Sequence, residues 1–208
     1  MNKIFEILNK YYGYNSFRKG QYEIISNILR GRDSFCILPT GAGKSICYQI
    51  PALMFNGITI VISPLISLMK DQVDNLNSNG INSRYINSTQ KLEVSDEIIE
   101  LCKKGEVKLL YIAPEKLENE FFKRKLRLLN ISQIAIDEAH CVSLWGHDFR
   151  KSYREIAPFI NSLPNRPAIT AFTATATEVV REDIIKLLDL RNPYKYLGSF
   201  DRDNLIIS

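Results

Sequence analysis

Residues 38–45 run Leu38-Pro39-Thr40-Gly41-Ala42-Gly43-Lys44-Ser45, set between an apolar run (Phe35-Cys36-Ile37-Leu38) and an amphipathic stretch from Ile46 to Phe55. A glycine-bearing turn between a strand and a helix points successive backbone N–H groups into one concavity, and phosphate oxygens fit that concavity. Thr40, Gly41, Ala42 and Gly43 form the cradle. Lys44 is placed to reach β- and γ-phosphates, and the Ser45 hydroxyl to ligate Mg²⁺. The full P-loop pattern begins with Gly at position 38, where this chain has Leu38.

The rest of the chain supplies the sheet that such a turn needs. Short β-branched runs at 34–38, 58–62, 84–86, 109–112, 134–136 and 168–172 alternate with helical periods. That alternation predicts a parallel sheet covered by helices on both faces. Leu65, Met69, Val73 and Leu76 share one face of a helix over 65–79, with Leu68 counted in the same core. Val94, Ile98, Leu101 and Cys102 do the same over 91–104, and Val180, Ile184 and Leu187 over 178–188. Two further helices, 3–12 and 19–29, precede the turn. A strand-like Leu205-Ile206-Ile207 run near the end has no partner element after it, which suggests a chain cut at the start of another unit.

With 208 residues, 45% hydrophobic and 24% charged, the chain has the composition of one globular domain. A net charge of +4 permits a nucleic-acid partner without requiring one. Cys36, Cys47, Cys102 and Cys141 form no C-x-x-C pair, and only His140 and His147 could assist them, which argues against structural zinc. Reduced, buried thiols, the lack of a signal-type apolar segment and the lack of a membrane-length run lead to the expectation of an intracellular, cytoplasmic protein.

A second signal lies at Ile134-Ala135-Ile136-Asp137-Glu138-Ala139-His140. Two carboxylates just beyond a β-branched strand sit at the sheet edge where α/β proteins bind ligands. Asp137 is placed to hold Mg²⁺, and Glu138 to orient or deprotonate an attacking water.

These motifs, taken in order, resemble RecQ-family DNA helicases of the superfamily 2 DExH branch. The Thr40 to Ser45 turn and Asp137-Glu138-Ala139-His140 carry the resemblance. So do Tyr12-Gly13-Tyr14-Asn15-Ser16-Phe17-Arg18-Lys19-Gly20-Gln21 (the family's motif 0) and Ser63-Pro64-Leu65-Ile66-Ser67-Leu68-Met69-Lys70-Asp71-Gln72 (motif Ia). The loop from His140 to Arg150, holding the only tryptophan, is similar to the family's aromatic-rich loop, and Thr173-Ala174-Thr175-Ala176 to motif III. Phe200-Asp201-Arg202 resembles the entry to a second motor lobe. Lys19 departs from the pattern, standing where the family often has Pro.

The resemblance implies a RecA-like three-layer α/β/α lobe over 1–199, with 200–208 leading to a second RecA-like lobe in cis. It also implies an ATP-driven 3′→5′ motor on single-stranded or partly duplex DNA. Tyr14 and Arg18 would sandwich adenine, and the Gln21 amide would pair with its N6 and N7. Ser63, Ser67 and Lys70 would meet DNA phosphates, while Trp145 and Phe149 would stack on unpaired bases. Arg150 would hold a phosphate or pair with an acid, and His140 would link nucleotide to loop. Thr173 and Thr175 would relay toward the carboxylates. Phe17 is better suited to the core, and a packed, buried Trp145 is the competing account of the aromatic loop. Two other functions stay open: an RNA helicase of the DEAH or DEAD type, and a nucleotide-gated clamp without productive hydrolysis.

Overall fold

A computed structural model describes residues 3–198. Seven strands, β1 (Ser34–Ile37), β2 (Ile58–Ile62), β3 (Ser83–Ile86), β4 (Leu109–Ile112), β5 (Ile131–Ile136), β6 (Ala168–Thr173) and β7 (Tyr194–Leu197), form one sheet. Their order is β3-β4-β2-β5-β6-β1-β7 and every pairing is parallel. The helices are α1 (Lys3–Tyr12), α2 (Gln21–Leu29), α3 (Lys44–Met54), α4 (Ile66–Ser78), α5 (Leu92–Lys103), α6 (Glu120–Leu126), α7 (Ile156–Asn161) and α8 (Glu178–Leu187). Leu205-Ile206-Ile207 and Phe200-Asp201-Arg202 lie outside the described residues. Among the described residues no helix is long and apolar enough to cross a membrane.

Strands buried on both faces read as continuous apolar runs, which is why β2 and β4 are wholly buried. One core holds Ile60, Ile62, Ile134, Ile136 and Ile169, and a second holds Val61, Ala135, Phe172, Met69 and Leu109. Adjacent residues of one strand thus feed opposite cores, the signature of three layers. A smaller cluster of Ile4, Leu8, Ile25 and Ile50 binds α1 and α2 onto α3.

The expected six strands are present, with ends shifted by up to three residues. The seventh, β7, is an edge strand whose residues alternate between half-buried and exposed. The helix expected from residue 19 begins at Gln21, because Gly20 is left-handed at φ +83°. A Cβ at Gly20 would also run into the Tyr196 ring. Leu65 is 45% exposed and precedes α4, and Leu68 is exposed too, so of the residues assigned to that core Met69, Val73 and Leu76 enter it and these two do not. Val94 is likewise exposed, and the buried face of α5 is formed by Ser95, Ile98, Ile99 and Cys102.

Asp33 ties the sheet's free edge. Its carboxylate accepts from Arg166 (2.9 Å), Ile169 N–H (3.1 Å) and Arg191 N–H (2.7 Å), while its carbonyl accepts from Tyr194 N–H (2.8 Å).

Candidate active site

The strands β2, β5, β6 and β1 are neighbours, and their carboxyl ends carry Ser63, Asp137-Glu138, Thr173 and the 38–45 turn. Four segments far apart in sequence therefore meet along one sheet edge, the place where open α/β sheets bind ligands. A cleft of about 630 Å³ opens there, lined by Tyr14, Arg18, Gln21, Thr40, Gly41, Gly43, Lys44, Ser45, Asp137 and Glu138. Its size is that of a small-molecule site. Ser16, Ile46, Leu68 and Gln72 complete the wall.

Gly41 (φ +81°) and Gly43 (φ +79°) are left-handed, which bends the turn so that α3 starts at Lys44. Lys44 Nζ lies 3.1 Å from Glu138 Oε1 and 3.8 Å from Asp137 Oδ1, one ammonium between two carboxylates. Glu138 has φ +47°, a region costly for a side chain, and such strain clusters at functional turns. The bend brings Asp137 Oδ1 within 3.0 Å of the Glu138 N–H. Tyr153 OH donates to the Asp137 carbonyl at 2.8 Å, fixing the strand end from below.

Burial pushes the Asp137 carboxyl up, against the pull of Lys44. Glu138 goes the other way, held at about 2 by its hydrogen bond with His140 and by Lys44. An ionised Glu138 and a desolvated Asp137 at one strand end are two carboxylates in opposite environments, an arrangement suited to different tasks. Asp137 and the Ser45 hydroxyl supply hard oxygen donors only, the set Mg²⁺ prefers, and both face the cleft.

His140 is buried, with Nδ1 3.0 Å from Thr173 Oγ1 and 3.3 Å from Glu138 Oε2. Thr173 Oγ1 in turn donates to the Thr175 carbonyl at 3.0 Å. The His140 ring stacks on His147, with centroids 4.2 Å apart. Trp145 is 75% exposed, which rules out the buried-Trp account. Phe149 is exposed, with the Arg154 guanidinium 5.4 Å from its ring centre. Arg150 pairs with Asp148 (3.1 Å) and donates to Pro64 O (3.2 Å), strapping the aromatic loop to the segment after β2. Ser67 and Lys70 are exposed on the first turns of α4, whereas Ser63 is buried at the end of β2. Phe17 is half-buried, packing edge-on to the exposed Phe5 (5.0 Å) and against the edge of the Ile4–Leu8 cluster, so it borders the core without entering it.

Motif 0 departs most from expectation in its hydrogen bonding. Tyr14 is 52% exposed at the cleft mouth, but Gln21 is only 2% exposed and its amide is fully engaged. Arg18 N–H donates to Gln21 Oε1 (2.9 Å), and Gln21 Nε2 donates to Gly43 O (3.1 Å) and Ala42 O (3.3 Å). The Arg18 guanidinium donates to Gly41 O. Motif 0 is thus tied to the phosphate turn itself. Residues that sequence reasoning missed lie beneath: Gln49 accepts from Tyr12 OH (3.0 Å) and donates to Gln72 (3.1 Å) and Tyr111 OH (3.2 Å). This polar chain joins α1, α3, α4 and β4, and glutamine on an amphipathic helix gives no signal of burial.

A family model described as DEAD/DEAH box helicase matches residues 18–183. The chain belongs to that family. Its match covers the phosphate turn, both carboxylates and the aromatic loop, and starts four residues after Tyr14. The resemblance to RecQ proteins is borne out at the level of sequence. The chain is 50% identical over 199 residues to "ATP-dependent DNA helicase RecQ" of Haemophilus influenzae, covering 96% of this chain and 32% of that protein. The Bacillus subtilis protein of the same name is 52% identical over 200 residues, covering 96% and 34%. This helicase-family chain spans about a third of the length of the curated relatives it matches. Among solved structures, the DUF1998 helicase MrfA bound to DNA and AMPPNP superposes with a TM-score of 0.76 at 19% identity, covering 96% of this chain and 29% of that one. At that identity the likeness is one of fold.

Gln21→Ala is expected to reduce discrimination between ATP and GTP in hydrolysis assays by about 1–3 kcal/mol, the worth of a bidentate amide–adenine pair. Unchanged discrimination would leave Gln21 as a tie between motif 0 and the Gly43 carbonyl and nothing more.

Proposed function

We propose that residues 1–199 are the ATP-binding first lobe of a RecQ-type DNA helicase, with 200–208 leading to a second RecA-like lobe in cis. The full motor moves 3′→5′ on single-stranded or partly duplex DNA. One observation carries this reading: His140 touches both Glu138 and Thr173, and the same short loop presents an exposed Trp145. A group that feels the γ-phosphate is thereby wired to a group suited to unpaired bases.

In this mechanism Lys44 and the 41–45 backbone amides hold the phosphates, and Tyr14 and Arg18 enclose the base. Gln21 exchanges its P-loop carbonyl partners for adenine. Ser45 and Asp137 would hold Mg²⁺, which would neutralise phosphate charge there. Glu138 takes the proton of the attacking water, and His140, Thr173 and Thr175 pass the change to the aromatic loop. Ser67, Lys70, Trp145, Phe149 and Arg150 form the DNA face, Arg150 chiefly by holding the loop in place, whereas Ser63, expected there, is buried at the end of β2 and presents no surface to a phosphate.

Phosphate release by the full-length protein tests the reading. Single-stranded DNA is expected to stimulate turnover strongly and single-stranded RNA weakly. Equal stimulation by RNA would favour an RNA helicase, and no hydrolysis with either strand would favour a nucleotide-gated clamp.

A further inference from the structure

Trp145 is exposed, yet the backbone that carries it is fixed. Ser143 is fully buried, and its hydroxyl donates to Asp183 Oδ2 at 2.7 Å while accepting the Trp145 N–H at 3.1 Å. Its carbonyl accepts from Gly146 N–H (3.1 Å) and its own N–H donates to His140 O (3.2 Å). Residues 143–146 therefore form a hydrogen-bonded turn with Trp145 at its third position. Gly146 seals it, since a Cβ there would lie 2.5 Å from the His140 carbonyl.

We propose that Asp183, a residue of α8 in none of the motifs, is the positioning residue for Trp145 and acts through the Ser143 hydroxyl. The carboxylate–hydroxyl bond is charge-assisted and therefore among the stronger local ties. It lies 40 residues away in sequence from the loop it holds. The same helix holds the opposite side: Arg181 Nε donates to Ala176 O at 3.0 Å. Between the two ties lies a cleft of about 410 Å³, with His140, Trp145 and His147 on one wall and Thr175 on the other. α8 thus ties both walls, one through Asp183 and the other through Arg181. An indole on such a backbone is pre-organised for a base, so less ordering is required on binding. A turn that served packing alone would direct its aromatic inward.

This inference rests on the reading that Trp145 meets unpaired bases, and the test separates the two. ATP turnover of the full-length protein is measured against oligothymidylate concentration for wild type, Asp183→Ala, Asp183→Asn, Ser143→Ala and Trp145→Ala. Asp183→Ala is expected to raise the half-stimulating DNA concentration roughly tenfold, the worth of one charge-assisted hydrogen bond, with DNA-independent turnover within about twofold of wild type. Asp183→Asn keeps an acceptor for the hydroxyl and restores most of the response. Combining Asp183→Ala with Ser143→Ala adds little to either alone, because both break one chain of bonds. If Trp145→Ala weakens the DNA response and neither Asp183→Ala nor Ser143→Ala does, the positioning role is overturned. If DNA-independent turnover falls in proportion, Asp183 is a stabilising residue only, which also overturns it. An unaffected Trp145→Ala would overturn the DNA reading of the loop, and the positioning role with it.

Discussion

Lys44→Ala is expected to lower ATP turnover by about 10²–10³-fold, the loss typical of removing one preorganised donor from a transferring group. Lys44 opens α3, so its ammonium comes from the same helix end whose free N–H groups suit phosphate oxygens. In the structure that ammonium stands 3.1 Å from Glu138 and 3.8 Å from Asp137. Alanine therefore does two kinds of damage. Phosphate charge goes uncompensated, and two carboxylates face each other with no cation between them. Asp137, already pushed up by burial, would be driven further toward its neutral form, which weakens any hold on Mg²⁺. The backbone amides of the turn survive the change, so weak nucleotide binding should persist. Phosphate release at saturating DNA and ATP, with far-UV circular dichroism to verify the fold, measures the effect. Turnover within a few-fold of wild type would refute the assignment.

The P-loop and the Asp137-Glu138 pair were legible because their chemistry is local: the cradle and the strand-end acids are each contiguous in sequence. Central strands were legible because burial on both faces demands β-branched runs. β7 was not, since Tyr194-Lys195-Tyr196-Leu197 alternates as a half-exposed edge does, and four residues of alternation carry little signal. Helical periodicity finds a face but cannot say what that face meets. It gave Leu65 and Leu68 to the core, whereas α4 starts one residue later and Leu68 lines the cleft.

Partnerships across long sequence separations were beyond reach. The contacts of Gln49 with Gln72 and of Ser143 with Asp183 depend on which strands become neighbours, a property of the folded sheet. Gln21 shows the division clearly: its place beside the cleft followed from its motif, but its bonds to the Gly43 and Ala42 carbonyls did not.

Glu138→Gln is expected to cut ATP hydrolysis by about 10²–10⁴-fold, the usual contribution of a positioned general base, while ATP binding is retained. The His140 hydrogen bond and Lys44 hold Glu138 at about 2, so it is fully ionised at working pH. A carboxylate held that low is a weak base. Its basicity rises when Lys44 turns to the phosphates and one of its two stabilising partners leaves. The geometry thus confines a stronger base to the nucleotide-loaded state. Glutamine keeps the shape and the left-handed turn at 138 but can take no proton from water. Lys44 remains, freed from one ion pair, so nucleotide affinity should hold or improve. Acid unfolding gives an independent check. A carboxyl held below its ordinary 4.5 stabilises the fold above that pH, and this contribution is lost as pH falls from 4.5 toward about 2. The variant should therefore lose less stability than wild type over that interval. Single-turnover hydrolysis near the wild-type rate would exclude Glu138 as the base, whatever the acid-unfolding curves show.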